Sequence, residues 1–254
     1  MLQSILIIDD NQDILNLVAD VLKNSYVIVK STDAREALTM LSSVSVQLII
    51  SDVVMPGMDG FEFCKAVKSS FEHCHIPIIL LTAKNTLMSR IEGLELGADA
   101  YIDKPFSPRH LKAQVANLIS NRNTLKDYFV NSPLVHIKTM ATVKADELFL
   151  ERLNDIIIRN LDNAQLDGGF LADALHMSRP TLYRKVKAIS NLTVNELTNL
   201  TRLKKAAELL AAGQYRVFEV ANITGFNSPN QFNRIFHKQF NMSPSNFIKN
   251  QSQK

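Results

Sequence analysis

The sequence predicts two structural classes in one chain. The first is an α/β domain, doubly wound around a five-stranded parallel sheet, and the second is an all-α domain with two helix-turn-helix units. Three observations carry the prediction. In the first half, short apolar, β-branched-rich runs lack polar alternation and are separated by segments of helical periodicity. After residue 148 the strand patterns stop, and helix start and stop signals recur. Charge divides along the same line: residues 1–120 hold ten Lys/Arg against fourteen Asp/Glu, net −4, and the remainder eighteen against eleven, net +7. A basic back half behind an acidic front half points to a nucleic-acid partner for the back half alone.

Length and composition limit the alternatives. At 254 residues, 46% hydrophobic and 21% charged, the chain is long enough for two soluble domains with a core each. The early run "ILII" is too short for a signal-peptide core and acids follow it at once, so a cytoplasmic location without membrane contact is expected. Cys64 and Cys74 have no zinc-type spacing and read as reduced thiols. The cluster "HCHIP", His73–Pro77, is rejected as a metal site because adjacent residues cannot easily aim at one ion.

The strands come in order: Ile5–Ile8, Tyr26–Val29, Leu48–Ser51, Ile76–Leu81 and Ala100–Ile102. Between them Ile14, Val18 and Val21, then Ala34, Ala37 and Leu41, mark helices, and Leu111, Val115 and Leu118 mark one after the last strand. In such a sheet the working crevice lies beyond the carboxyl ends of the strands, so the residues that follow each strand matter most. They are Asp9 and Asp10, Asp52, Thr82, and Lys104 before Pro105. Each alone also reads as a helix cap or a turn residue, but together they place carboxylates, a hydroxyl and an ammonium at one edge. Clustered carboxylates repel unless a hard cation of the Mg²⁺ type sits among them, and its open positions can take a phosphoryl group. Thr82 can then donate to a phosphoryl oxygen, Lys104 can offset its charge, and Asp52 can accept phosphoryl as an acyl phosphate.

This half resembles the receiver domain of two-component response regulators, a flavodoxin-like fold, over residues 1–120. The resemblance rests on the acidic pair, the acceptor Asp in "LIISDVVMPGMDGFEF", the Thr and the Lys-Pro. It implies Mg²⁺ held by Asp10 directly, Asp9 mainly through water, Asp52, and the backbone carbonyl of Val54. It also implies a switch formed by Thr82 and Tyr101, and a cis peptide before Pro105. A phosphohydrolase of the haloacid dehalogenase type also places an Asp nucleophile after a strand. It needs a second Asp two residues on, where this chain has Val54, so no enzyme activity is expected beyond self-phosphorylation.

Residues 121–147 show no sustained period and include Pro133, and read as a linker that extends the last helix by a few residues and then runs irregularly. The second domain is expected over 148–250. Around Phe170–Ile189 one helix ends near His176, Ser178 caps the next and Pro180 sits in its first turn. Leu182 and Val186 pair inward, leaving Arg179, Tyr183, Arg184 and Lys187 as candidates for DNA contact. Alone, such a helix would sooner be read as a solvated amphipathic one. The pattern recurs at Val217–Phe240, with Gly225 at the turn, Ser228 as cap, Pro229 opening the helix and Phe232 and Phe236 inward. Asn230, Gln231, Arg234 and Lys238 are the outward candidates. Between the units Thr193 and Glu196 form a capping box for a long helix ending at Gly213.

"RLKKAAELL", "EVANITGFNSPNQFNRIFHKQF" and "MSPSNF" are similar to the AraC/XylS family of DNA-binding domains. Two departures are Asn241 where Gly usually takes a left-handed turn, and Ile248 where Arg is common. The combined resemblance implies a transcription regulator phosphorylated on Asp52 by a sensor histidine kinase, binding double-stranded DNA. A homodimer on phosphorylation and RNA polymerase are further partners it allows. The alternative is the output end of a hybrid sensor histidine kinase; Met1 just before the first strand favours a free regulator.

Overall fold

The computed structural model describes residues 3–83, 95–163, 165–226 and 228–251. The chain forms two compact units, residues 1–122 and 123–254. In the first, β1 (Ser4–Ile8), β2 (Val27–Ser31), β3 (Leu48–Asp52), β4 (Ile78–Thr82) and β5 (Ala100–Asp103) make one parallel sheet in the order β2-β1-β3-β4-β5. Strand order reverses between β1 and β3, which leaves a crevice beyond their carboxyl ends.

The unbroken apolar runs follow from burial on both faces. Leu6 and Ile8 enter one core with Ala37 and Leu41 of α2 (Ala34–Leu41) and Phe63 and Val67 of α3 (Gly60–Ser69). Ile5 and Ile7, their neighbours on the same strand, enter the opposite core. There they meet Leu15, Val18 and Leu22 of α1 (Gln12–Leu22) and Leu111 and Val115 of α4 (Pro108–Asn131). The centre of the α1 face is thus Leu15–Val18–Leu22, and the expected Ile14 and Val21 flank it, partly buried. Asn11, Asp33 and Asp59 cap α1, α2 and α3, the last in a capping box with Glu62. His73 Nε2 donates to Leu41 O at 3.2 Å and its Nδ1 meets Ser70 Oγ at 3.1 Å, while Cys64 and Cys74 are both buried outside any disulfide.

The second unit is helical among its described residues: a 3₁₀ turn (Ile137–Met140), α5 (Lys144–Arg159), α6 (Gly168–Ala174), α7 (Arg179–Ser190), α8 (Val194–Ala211), α9 (Val217–Ile223), α10 (Pro229–Phe240) and α11 (Pro244–Gln251). The α6–α7 and α9–α10 pairs are the two helix-turn-helix units, capped at Ser178 and Ser228 with Pro in the first turn. Thr193 and Glu196 form the expected capping box on α8. Asn191 and Asn241 close α7 and α10 in the left-handed region, φ 61° and 55°, so Asn241 does serve the turn that Gly usually takes.

The stretch expected to join the domains is ordered. α4 continues to Asn131, well past the few residues anticipated, and Phe129, Ile137 and Met140 enter the second unit's core. Side chains tie it down: Lys126 Nζ donates to Ala188 O (3.0 Å), Gln239 Nε2 to Val130 O (2.9 Å), and Lys204 Nζ to Ser132 O and Val135 O (2.5 and 3.1 Å). Val130 O and Ala188 O lie in the last turns of α4 and α7, where carbonyls run out of helical partners, and Ser132 O also accepts from the Val135 N–H at 3.4 Å.

Candidate functional site

Parallel strands all deliver their carboxyl ends to one sheet edge, and the residues that follow meet there. Asp9, Asp10 and Asp52 bring one carboxylate oxygen each within 4.8 Å of one another. Asp9 and Asp52 are buried while Asp10 is exposed. None of the three caps a helix, since Asn11 performs that task for α1; the Asn11 N–H in turn donates to Asp9 Oδ1 at 2.9 Å. The bland reading of these acids as caps therefore falls away. Lys104 extends its ammonium to Asp9 Oδ2 at 2.7 Å and to Asp52 Oδ1 at 3.0 Å. Its own N–H donates to Thr82 O at 2.7 Å, and the Lys104–Pro105 peptide is cis.

Local backbone fixes the central acid. Val53 N–H donates to Leu81 O and Gly60 N–H to Val53 O, both at 2.9 Å, which folds the β3–α3 turn back on the strand end. A Cβ on Gly60 would collide with the Asp52 carbonyl oxygen and stand 2.8 Å from Val53 Cα, so this close approach requires glycine. Val54, two residues beyond Asp52, is exposed. Thr82 is fully buried at the end of β4, and Tyr101 in β5 stacks on Phe61 with ring centroids 6.4 Å apart.

Electrostatics set the roles these groups can fill. Burial pushes the Asp52 carboxyl above its ordinary value, against the hydrogen bond and charge of Lys104. A more basic carboxylate is a better nucleophile. For Lys104, burial pulls down, but the hydrogen bonds and charges of Asp9 and Asp52 outweigh it and the ammonium is held above its usual range. The donor set is all oxygen and carries three negative charges against one ammonium, a composition that fits a hard divalent cation.

The second unit presents two outward surfaces. On α7, Arg179, Tyr183, Arg184 and Lys187 are exposed above the buried Leu182 and Val186. On α10, Asn230, Arg234 and Lys238 are exposed and Gln231 is half-buried, above Phe232 and Phe236, whose rings meet edge to face at 5.5 Å. Beneath the first surface lies a pair that sequence reading missed. Lys185 Nζ meets Asp146 Oδ1 at 2.5 Å with both side chains buried, 5.8 Å from the Phe149 ring centroid. The partner lies on α5, 39 residues earlier, at the edge of the stretch read as a linker, and no local pattern joins the two.

Comparison with known proteins follows this division. The family described as the response regulator receiver domain matches residues 5–116, and a helix-turn-helix domain family matches 171–250. Histidine kinase P4 of Formosa agariphila is 36% identical over 96% of this chain and 18% of its own length. The alkaline phosphatase synthesis transcriptional regulatory protein PhoP of Bacillus subtilis is 38% identical over 47% of this chain and 49% of that protein. The chain thus spans half or less of the length of both curated relatives. A solved signal receiver domain of a signal transduction histidine kinase from Syntrophus aciditrophicus is 35% identical, covers 47% of this chain and 91% of that one, and has a TM-score of 0.45. No helix among the described residues is long and apolar enough to cross a membrane.

Proposed function

From a chain that joins a response regulator receiver domain to an AraC-type helix-turn-helix domain, we propose a DNA-binding two-component response regulator controlled by phosphorylation of Asp52. The observation that carries it is the Asp9–Asp10–Asp52 cluster bridged by Lys104, on the same chain as two helix-turn-helix units with basic outward faces.

Asp52 attacks the phosphorus of a phosphohistidine on a partner kinase; an O–P bond forms as the N–P bond breaks, and the imidazole leaves with the electron pair. Asp9, Asp10 and Asp52, with the Val54 carbonyl, would hold Mg²⁺, which neutralises the charge on the transferring group. Lys104 already bridges two of the carboxylates and can shift its ammonium to the arriving phosphoryl oxygens. Thr82 supplies a hydroxyl from the next strand end, and Tyr101, opposite Leu80 on the neighbouring strand, follows that movement to alter the β5 face. The altered face would promote a homodimer or release the DNA-binding unit, whose contacts would come from Arg179, Tyr183, Arg184, Lys187, Asn230, Gln231, Arg234 and Lys238. RNA polymerase is the partner such a complex would act on, and the cytoplasm is where all of these meet.

One observation bears on the alternative setting. The relative named a histidine kinase aligns with nearly all of this chain yet is far longer, which leaves open that these two units are part of a longer kinase chain. The chemistry at Asp52 is the same in both. It is tested by exposing the chain to acetyl phosphate and Mg²⁺: one acyl phosphate should form, at Asp52, and Asp52→Asn should abolish it. Labelling that survives the substitution, or excess chelator, would overturn the assignment.

A further inference from the structure

Two glycines at the start of α6 support the tips of two outward side chains of α7. A Cβ on Gly168 would collide with the Tyr183 hydroxyl and stand 2.7 Å from Cε2 and 2.8 Å from Cζ of the same ring. One on Gly169 would collide with Arg179 Nη2 and stand 2.7 Å from Cζ and 3.0 Å from Nε. Both glycines are buried, yet Arg179 and Tyr183 remain exposed, Tyr183 at 46%. The two side chains therefore rest their tips on bare backbone and keep an open flank towards solvent. Asp167 caps α6 through the Phe170 N–H at 2.8 Å. Its carboxyl lies below the ordinary range, chiefly through that N–H, with the Gly169 N–H and the Arg179 charge adding to it.

The three atoms nearest a Cβ at each position belong to Tyr183 or to Arg179 and not to the core. The atoms a Cβ would displace are the far ends of exposed, flexible side chains, and Ala is a better helix former than Gly. What the missing Cβ atoms provide is a fixed place for a phenol and a guanidinium. We propose that Gly168 and Gly169 are positioning residues for DNA binding, a seat that sets Tyr183 and Arg179 in the conformation in which the first helix-turn-helix unit meets the duplex. The inference rests on the DNA-binding reading above. Holding a long side chain in one rotamer before binding removes part of the ordering cost at binding.

The test uses the full chain with the single variants Gly168→Ala and Gly169→Ala, and with Arg179→Ala alone and combined with Gly169→Ala. Duplex sites are first selected from random DNA with the parent, and affinities and melting temperatures are then measured. Each glycine variant should keep or raise the melting temperature while weakening binding about three- to tenfold. The Gly169→Ala effect should vanish in the Arg179→Ala background, because the seat acts through that side chain. Unchanged affinity in both glycine variants overturns the proposal. So does a loss of affinity that tracks a fallen melting temperature, or one that persists without Arg179. A parent that selects no DNA at all would instead remove the DNA-binding reading.

Discussion

The Lys104 ammonium stands 2.7 Å from Asp9 Oδ2, although 95 residues separate the two in sequence, and the same nitrogen reaches Asp52 at 3.0 Å. One cation thus holds together two of the three carboxylates in which the site's charge resides. Replacing Lys104 with Met should leave them in mutual repulsion and lower stability by about 1–3 kcal/mol in the presence of chelator. Mg²⁺ should offset that loss, so its stabilising effect should be larger in the variant than in the parent. Thermal unfolding of both chains with Mg²⁺ and with chelator checks this. Equal Mg²⁺ shifts would show that the ion does not enter between these carboxylates.

The buried Asp146–Lys185 pair fixes α5 against α7 from inside. Removing one member strands the other charge in the core, and Asp146→Ala should cost about 3–5 kcal/mol. Replacing both with apolar residues of similar volume, Asp146→Leu with Lys185→Met, should recover most of it. Denaturant unfolding of the three chains measures both values. A double variant as unstable as the single one would mean that the pair's other contacts, and not its charge balance, hold the helices.

Lys204 provides a pH test. Its ammonium lies over the Phe129 ring at 4.2 Å, and burial draws its pKa down to about 8, against the pull of Glu208. Asp155, Lys205 and His136 line the same hollow. Between about pH 8 and 10.5 the folded chain has released this proton while the unfolded chain keeps it, so stability rises with pH across that window. The neutral amine can still donate to Ser132 O and Val135 O. Relative to Lys204→Met, the parent should therefore gain about 2 kcal/mol between pH 7.5 and 9.5. Urea unfolding at the two pH values reads the difference, and a gap that does not change with pH would place the ammonium at its ordinary value.

The sequence made the sheet and its working edge legible for one reason. In a parallel sheet, chain direction alone sends every strand's carboxyl end to the same side, so Asp9, Asp52, Thr82 and Lys104 can be assigned to one place without any contact being known. The helix caps were equally local, and Ser178, Thr193 and Ser228 stand where expected. Residues beyond 120 resisted the same reading because α4 supplies Leu111, Val115 and Ile119 to one core and Phe129 to another, so it shows no single apolar stripe. Lys185 and Lys204 were invisible for a related reason. A buried lysine is betrayed only by its partners, here Asp146 and the carbonyls of Ser132 and Val135, all far away in sequence.

How the two helix-turn-helix units divide recognition gives the last prediction. Arg184 and Arg234 occupy corresponding places: each lies exposed on its second helix, away from the buried pair Leu182–Val186 in one unit and Phe232–Phe236 in the other. If α8 holds the units so that both second helices enter successive major grooves, about 34 Å apart, these arginines are placed to bind guanine edges. Arg184→Ala or Arg234→Ala should then cost about 1–3 kcal/mol and relax preference only in its own half of the site. If both instead contact phosphate, each loss should weaken binding evenly on all sequences and lower the salt slope by about one. Site selection from random DNA with the parent and both variants separates the two outcomes. Selected sites that keep full preference in both halves would assign these arginines to the backbone and move base reading to Asn230, Gln231 and their counterparts on α7.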